Sequence, residues 1–411
     1  MENLEKLEDK YIDLLLKRCI DLKNNSSLLI NYIPENEEFV KKVEKRAYEL
    51  GATNVILDID DQVKYRDELL NTDLDDIENN SMFRRDLWNE NAINNGSFLF
   101  FTSLEPDYLE GIDLDKVQKA EHTLITTKPI FNKKRDSGEC SWCIACLPTK
   151  YWADKLFPND LDAYEKLYQL ILKMCMVDTI DPIEAWDNQL SSSKLIVDYL
   201  NNLQIESLSF KNNLGTDLTV YLPKEYRFCR AYKEDYYAVP IIVNMPSYEV
   251  YTSPIYNKTE GIVYSSKPLY YNNQIVNNFW LRFENGRVVD FDAEEGLEVL
   301  KRIIEMEEYS RYLGEVALVN YDSPISNTNM VFMRTLFDEN AACHLALGKG
   351  FPKTIDTGSD LTSEEALEYG INNASIHVDF MFGTNDLEVL ATTREKEKVK
   401  IFSNGNFDLN I

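Results

Sequence analysis

Histidine is almost absent from this sequence, with three in 411 residues, so any imidazole chemistry must come from His122, His344 or His377. Cysteine is sparse and odd in number, seven in all, which excludes a small secreted disulfide scaffold and predicts reduced thiols. Basic charge is also short. The 43 Lys plus Arg stand against 70 Asp plus Glu, a net −27 that repels nucleic-acid phosphates and anionic membrane surfaces. No apolar run reaches the roughly 18 residues of a membrane span, and the opening MENLEKLEDK has no apolar signal-peptide core. Neither a G-x-G-x-x-G nor a phosphate-binding G-x-x-x-x-G-K-[ST] motif occurs. These absences predict a soluble, cytoplasmic protein without nucleic-acid or membrane partners and give no ground for a nucleotide-binding claim.

What is present suffices for folded cores: 44% apolar and 12% aromatic residues, over a length that suggests two or three domains at roughly 150 residues each. Ser27 to Ile33 reads as a buried strand, Glu37 to Leu50 as a helix with Phe39, Val43, Ala47 and Leu50 on one stripe, and Asn54 to Ile59 as a second strand. Strand, helix, strand at this spacing is a βαβ unit. Ser97 to Ser103 adds a strand, and Leu161 to about Leu203 is helical, with Pro182 in a first turn after Asp181. Beyond it, Leu208 to Leu222 reads as a hairpin, and Asn285-Gly286 and Asn404-Gly405 signal two more. The expected fold class is therefore α/β: an amino-terminal open α/β domain over 1–205, then a mixed α+β domain rich in antiparallel hairpins over 206–411.

Candidate chemistry concentrates in the second half. In Ser375 to Phe382 a strand period puts His377 and Asp379 on one face, where they are placed to share a cation or simply face solvent. His344 lies in TLFDENAACHLALG, read as a helix, where a satisfied core imidazole competes with a ligand. On a helix Glu339 points away from His344, and Cys343 also points away. Glu315 follows Gly314, expected to cap an amphipathic helix containing Leu297, Leu300, Ile303 and Ile304, and opens the strand-like EVALVN. Glu249 sits between Pro246 and Pro254 on an extended course. Both glutamates either face solvent or meet a cation. Together, two glutamates, one aspartate and two histidines supply the ligand types of a two-metal hydrolytic centre. His122 has no such surroundings. Cys140, Cys143 and Cys146 in GECSWCIACLP have spacing that opens an iron–sulfur or zinc site, but no fourth cysteine follows nearby, and buried thiols are the alternative.

The blocks AYELGATNV, DPIEAW, NMPSYEVYTSP, LRFENGRVVD, LGEVALV, YDSPIS, TLFDENAACHLALG and IHVDFMFG occur in order along nearly the whole chain. In them the sequence resembles the thermophilic aminopeptidase family, the family of aminopeptidases T and S. The resemblance implies a dinuclear metallo-aminopeptidase acting on short peptides with a free N-terminus through a water shared by two ions, and assembled as a homodimer. The implied ligands are Glu249, Glu315, His344, His377 and Asp379, holding two divalent ions for which Zn, Co or Mn fit, with Glu315 or Glu339 relaying the proton. Two positions depart from the family pattern: Tyr248 stands where an acid usually precedes the ligand glutamate, and Phe351 where a tyrosine is usual. The alternative they raise is a metal-retaining, catalytically weak homologue that binds peptides or amines.

Overall fold

The computed structural model describes residues 4–409 except 104–105, 110, 114–115, 118, 121, 124–126, 231, 234–239, 272–273 and 358–360. It divides into two compact units, Met1–Trp186 with Tyr232–Met245, and Asp187–Ala231 with Pro246–Ile411. No helix among the described residues is long and apolar enough to cross a membrane.

The first unit is built on a parallel sheet. Strands β1 (Ser27–Tyr32), β2 (Asn54–Ile59), β3 (Ser97–Phe101) and β4 (Trp142–Ala145) lie in the order β2-β1-β3-β4, and the two-residue strand Asn244–Met245 extends the β4 edge. Every pairing is parallel, as βαβ crossovers require. The helix Glu37–Glu49 buries Phe39, Val40, Val43 and Ala47, and Gly51, at φ +97°, turns the chain into β2 in a conformation costly for other residues. At the start of the helix Pro182–Asn202 the Asp181 carboxylate accepts from the backbone N–H groups of Ile183 and Glu184 at 2.9 and 3.1 Å, the expected cap.

The second unit layers a large antiparallel sheet on a small one. The large sheet contains β5 (Ile205–Lys211), β6 (Asp217–Tyr221) and the long hairpin strands Gln274–Glu284 and Arg287–Glu295, the last two joined at Asn285-Gly286. The small sheet contains, in order, β7 (Val250–Thr252), β8 (Leu313–Leu318), β9 (His344–Gly348) and β10 (His377–Met381). One face of the small sheet carries Val250, Val316, Leu318, Leu345, Leu347, Val378 and Phe380, which share a core with Leu208, Phe210, Leu218, Val220, Phe279 and Leu281 of the large sheet. The helix Leu297–Glu305 closes this core with Val299, Leu300, Ile303 and Ile304. Burying these branched and aromatic side chains, at about 1.5–3 kcal/mol each relative to exposure, is what holds the small sheet rigid.

Two local expectations are corrected. His344 is not helical: it opens β9, every residue of which is buried. Gly314 is not a helix cap, since the helix ends at Glu305 and Gly314 lies inside β8.

Candidate metal centre

The other face of the small sheet is polar by strand alternation. Across β8 and β9, Ala317 pairs with His344 and Glu315 with Ala346; across β9 and β10, Ala346 pairs with Asp379 and Gly348 with His377. Residues paired across a ladder project to the same side. This face therefore presents Glu315, His344, His377 and Asp379, while Ala317, Ala346 and Gly348 leave open space between them. Tyr251 pairs with Ala317, so Glu249, two residues earlier on the extended chain, joins the same face.

Glu315 reaches this face by regular alternation with Val316 and Ala317, and an irregularity lies just before it. The register of β8 shifts between Leu313 and Glu315, so that Leu313 pairs with Leu347 on the core side and Glu315 with Ala346 on the polar side. The extra residue is Gly314, a β-bulge of the kind that re-aims one side chain, here Leu313, which it turns into the core and keeps off the ion face.

The result is two groups of ligand atoms, each within 4.8 Å of one another: Glu249, Glu315 and His344, and Glu315, His377 and Asp379. Glu315 belongs to both. His344 Nε2 lies 3.3 Å from Glu249 Oε2, and His377 Nε2 lies 3.1 Å from both Glu315 Oε2 and Asp379 Oδ1. Asp379 Oδ1 is nonetheless buried without a hydrogen bond, because these two groups converge on a point instead of aligning as donor and acceptor. Each imidazole is anchored at its other nitrogen: Nδ1 of His377 sits 2.7 Å from the Lys349 carbonyl, and Nδ1 of His344 sits 3.3 Å from the Ala342 carbonyl. With the proton on Nδ1, both rings aim an Nε2 lone pair at the cluster, the arrangement by which metal-binding histidines are oriented. Convergent carboxylate and imidazole donors, small neighbours and an orphaned buried oxygen all fit divalent cations.

Electrostatics point the same way. Burial pushes the His344 imidazole down, but its hydrogen bond to Glu249 and the charges of Glu249, Glu315 and Asp379 outweigh this and raise it to about 10. His377 is raised well above its ordinary value: burial opposes the rise, but Asp379 and Glu315 overcome it. Asp379 falls below the usual carboxylate range, burial being outweighed by His377. Glu315 is raised by burial and by its acidic neighbours against the pull of His377. Glu339 is raised well above the usual range by burial and by Glu249 and Asp379. Without cations, then, protons hold this cluster of acids together.

A pH dependence follows, with its sign. His344 has a raised folded pKa, so in ion-stripped protein its stabilisation is full below about pH 6.5 and is lost as pH rises through about 10. Divalent ions compete with the same protons, so their affinity should rise with pH, by up to about tenfold per unit for each proton expelled. Titration against a competing chelator at pH 6, 7 and 8 measures this, and a pH-independent affinity refutes it.

Of the sequence-derived candidates, Glu249, Glu315, His344, His377 and Asp379 all converge. Glu339 stands beside them in electrostatic reach but in neither ligand group. His122 is exposed in the first unit and belongs to neither ligand group. The three clustered cysteines do not form one group: Cys140 packs with Trp88, Phe98 and Phe131, whereas Cys143, which meets Cys19, and Cys146, 3.1 Å from Thr102 Oγ1, both lie near Tyr11 and Cys175. No cysteine belongs to a ligand group among the described residues. The iron–sulfur reading is therefore set aside in favour of buried thiols. Cys343, whose Sγ lies 3.4 Å from the Val319 carbonyl, faces the core because β9 alternates. Sequence reasoning missed Gly314, whose signal was a glycine inside an apolar strand, and Ala317 and Ala346, whose role appears only with the register.

A rigid sheet face with convergent carboxylates and imidazoles defines a metalloprotein with the donor set of metal-dependent hydrolases. The thermophilic metalloprotease (M29) family model matches residues 4–407, and the chain belongs to that family. It is 35% identical to aminopeptidase AmpS of Bacillus subtilis over 414 residues, covering 99% of this chain and 100% of that protein. It is 34% identical to aminopeptidase 2 of Geobacillus stearothermophilus over 409 residues, 99% of each. The structure of wild-type AmpT from Thermus thermophilus superposes with a TM-score of 0.89 at 27% identity, covering 98% of this chain and 99% of that one. The chain is thus a metallo-aminopeptidase by family, with an α/β fold. The catalytically weak alternative finds no support in these relatives.

Proposed function

We propose that this protein removes the N-terminal residue of short peptides with the aid of two divalent ions, in the region 206–411. The observation that carries the reading is the sharing of Glu315 between two ligand groups, a bridging carboxylate with a separate imidazole on each side. When bound, such ions polarise a scissile carbonyl and lower the pKa of water enough to make it a nucleophile. Glu249 and His344 would hold one ion, His377 and Asp379 the other, and Glu315 would serve both. Glu339, whose carboxyl lies outside both groups while feeling Glu249, Asp379 and His344, is placed to accept and return a proton. Glu315 itself is the alternative relay. The acidic cluster favours the ammonium group of a free N-terminus over a blocked one.

A donor set of carboxylates and imidazoles without thiolate suits Zn, Co or Mn, the choice among them following availability. A cytoplasmic setting accords with seven cysteines, all unpaired. Homodimer assembly belongs to the same reading and is carried by family membership alone.

Stripping the protein with chelator, restoring Zn, Co or Mn, and following amino-acid release from unblocked and N-acetylated peptides tests the reading. Cleavage is expected only with ions and only of unblocked peptides. In the same assay Glu339→Gln should keep its ions while kcat falls about 10²–10⁴-fold. Activity that survives complete ion removal, or that ignores the acetyl group, rejects the proposal.

A further inference from the structure

One tyrosine shares the ligand-bearing face without belonging to either ligand group. Tyr251 pairs with Ala317, and that small partner leaves its ring free to lie along the sheet beside Glu249 and diagonal to Glu315. The residue is 4% exposed, and the carboxylates of Glu249 and Glu315 both act on its phenol. Its hydroxyl has no hydrogen-bond partner among the described residues. The ring is buried, but the hydroxyl is not one of the fully buried unpartnered atoms, so it is open to an acceptor that a bound ligand brings.

The ring is held in place from two sides. Its centroid lies 5.4 Å from that of Phe351 in an edge-on contact, and Phe351 in turn lies 5.1 Å from the His377 ring. The backbone N–H of Phe351 donates to Ser253 Oγ at 2.9 Å, which ties that loop to the strand end two residues beyond Tyr251. Lys353 Nζ sits 5.2 Å from the Tyr251 ring centroid, a cation–π contact that covers it. Phe351, the residue at the edge of the ion face nearest His377, has no polar atom to offer a substrate. Tyr251 does.

We infer that the Tyr251 hydroxyl donates a hydrogen bond to the scissile carbonyl oxygen of the bound peptide and strengthens that bond as the oxygen gains negative charge. This rests on the peptidase reading above and adds a named donor to it. A phenol is un-ionised at neutral pH, so it donates without a change of protonation state. A preorganised donor of this kind accelerates the tetrahedral step without binding the ground state more tightly. Tyr369 is a poorer donor candidate, because it packs in a separate apolar cluster with Ile355, Ala366 and Ile371.

The test compares ion-loaded wild type with Tyr251→Phe, which keeps the ring and its contacts. Bound ions and the unfolding midpoint should be unchanged, KM within about threefold, and kcat lower by about 10²–10³-fold. A peptide phosphonate, whose tetrahedral oxygens mimic the charged state, should bind Tyr251→Phe at least about tenfold more weakly. Wild-type kcat in Tyr251→Phe, or loss of ions from it, overturns the inference. Should wild type itself fail to cleave peptides, the function reading falls first and phosphonate binding decides alone: weaker binding by the variant supports the hydroxyl's role, while equal binding, or none by either protein, overturns it.

Discussion

Replacing Glu315 with Ala should empty both ion positions at once and reduce peptide cleavage to background, a loss of at least about 10⁴-fold. The expectation comes from its double membership: it is the one residue common to the two ligand groups. Its carboxyl is buried, 4% exposed, and 3.1 Å from His377 Nε2. Removing it leaves Glu249 with His344 on one side and Asp379 with His377 on the other, two donors each where a tetrahedral catalytic site uses three. His344→Ala should instead reduce only the group it belongs to, so the second ion is retained at partial occupancy. Metal analysis of dialysed protein distinguishes the two variants. If Glu315→Ala keeps one full equivalent, the shared-carboxylate arrangement is wrong and the ions sit in independent sites.

Much of this centre was legible before any coordinates. Strand period alone puts His377 and Asp379 on one face, because β10 alternates polar residues with Val378 and Phe380 in the core, but it does not choose between a cation and solvent. The βαβ start was equally readable: Ser27–Tyr32, Glu37–Glu49 and Asn54–Ile59 carry strong local patterns and end at turn residues. His344 was misread because Ala, Leu and Cys around it favour a helix locally, and a short apolar run has no period that tells a buried strand from a buried helix. Its neighbours on both sides of the sheet decide the matter, and they lie about thirty residues away in each direction, in β8 and β10. Gly314 was hidden for a related reason. After an amphipathic helix, a glycine reads as a cap, and the bulge it makes exists only in relation to the strand opposite.

The separation of the two faces also explains why so few polar residues suffice. The core side of the small sheet is supplied by Val316, Leu318, Leu345, Leu347, Val378 and Phe380, and the Phe380 ring lies 5.6 Å from Phe279 of the large sheet. Four strands held this way present side chains at fixed spacing, so the ligands need no loop to order them. Only Glu249 comes from outside a strand, and its loop is itself fastened where the Tyr248 N–H donates to Asn340 Oδ1 at 2.6 Å. That bond gives position 248 a structural role through its backbone, independent of the side chain it carries.

Gly314→Ala should then damage the site from a position with no functional atom of its own. A Cβ at residue 314 meets the Gly348 carbonyl oxygen at 2.2 Å and the Lys349 carbonyl oxygen at 2.3 Å, both backbone atoms. Neither can rotate away: Lys349 O receives His377 Nδ1, and Gly348, at φ +98°, already sits where other residues are strained. Relief requires β8 and β9 to separate or the bulge to move, at a cost of about 3 kcal/mol or more. Moving the bulge turns Leu313 onto the ion face beside Glu315, as regular alternation demands, and displacing Lys349 O loosens the anchor of His377. The variant should therefore show a lower denaturation midpoint after ion removal and also weaker ion uptake than that instability alone explains. Comparing it with Leu345→Ala, a core truncation on the opposite face expected to cost about 2–5 kcal/mol, separates the two effects. Equal ion affinity in both variants at matched stability would mean that the bulge does not shape the ion face.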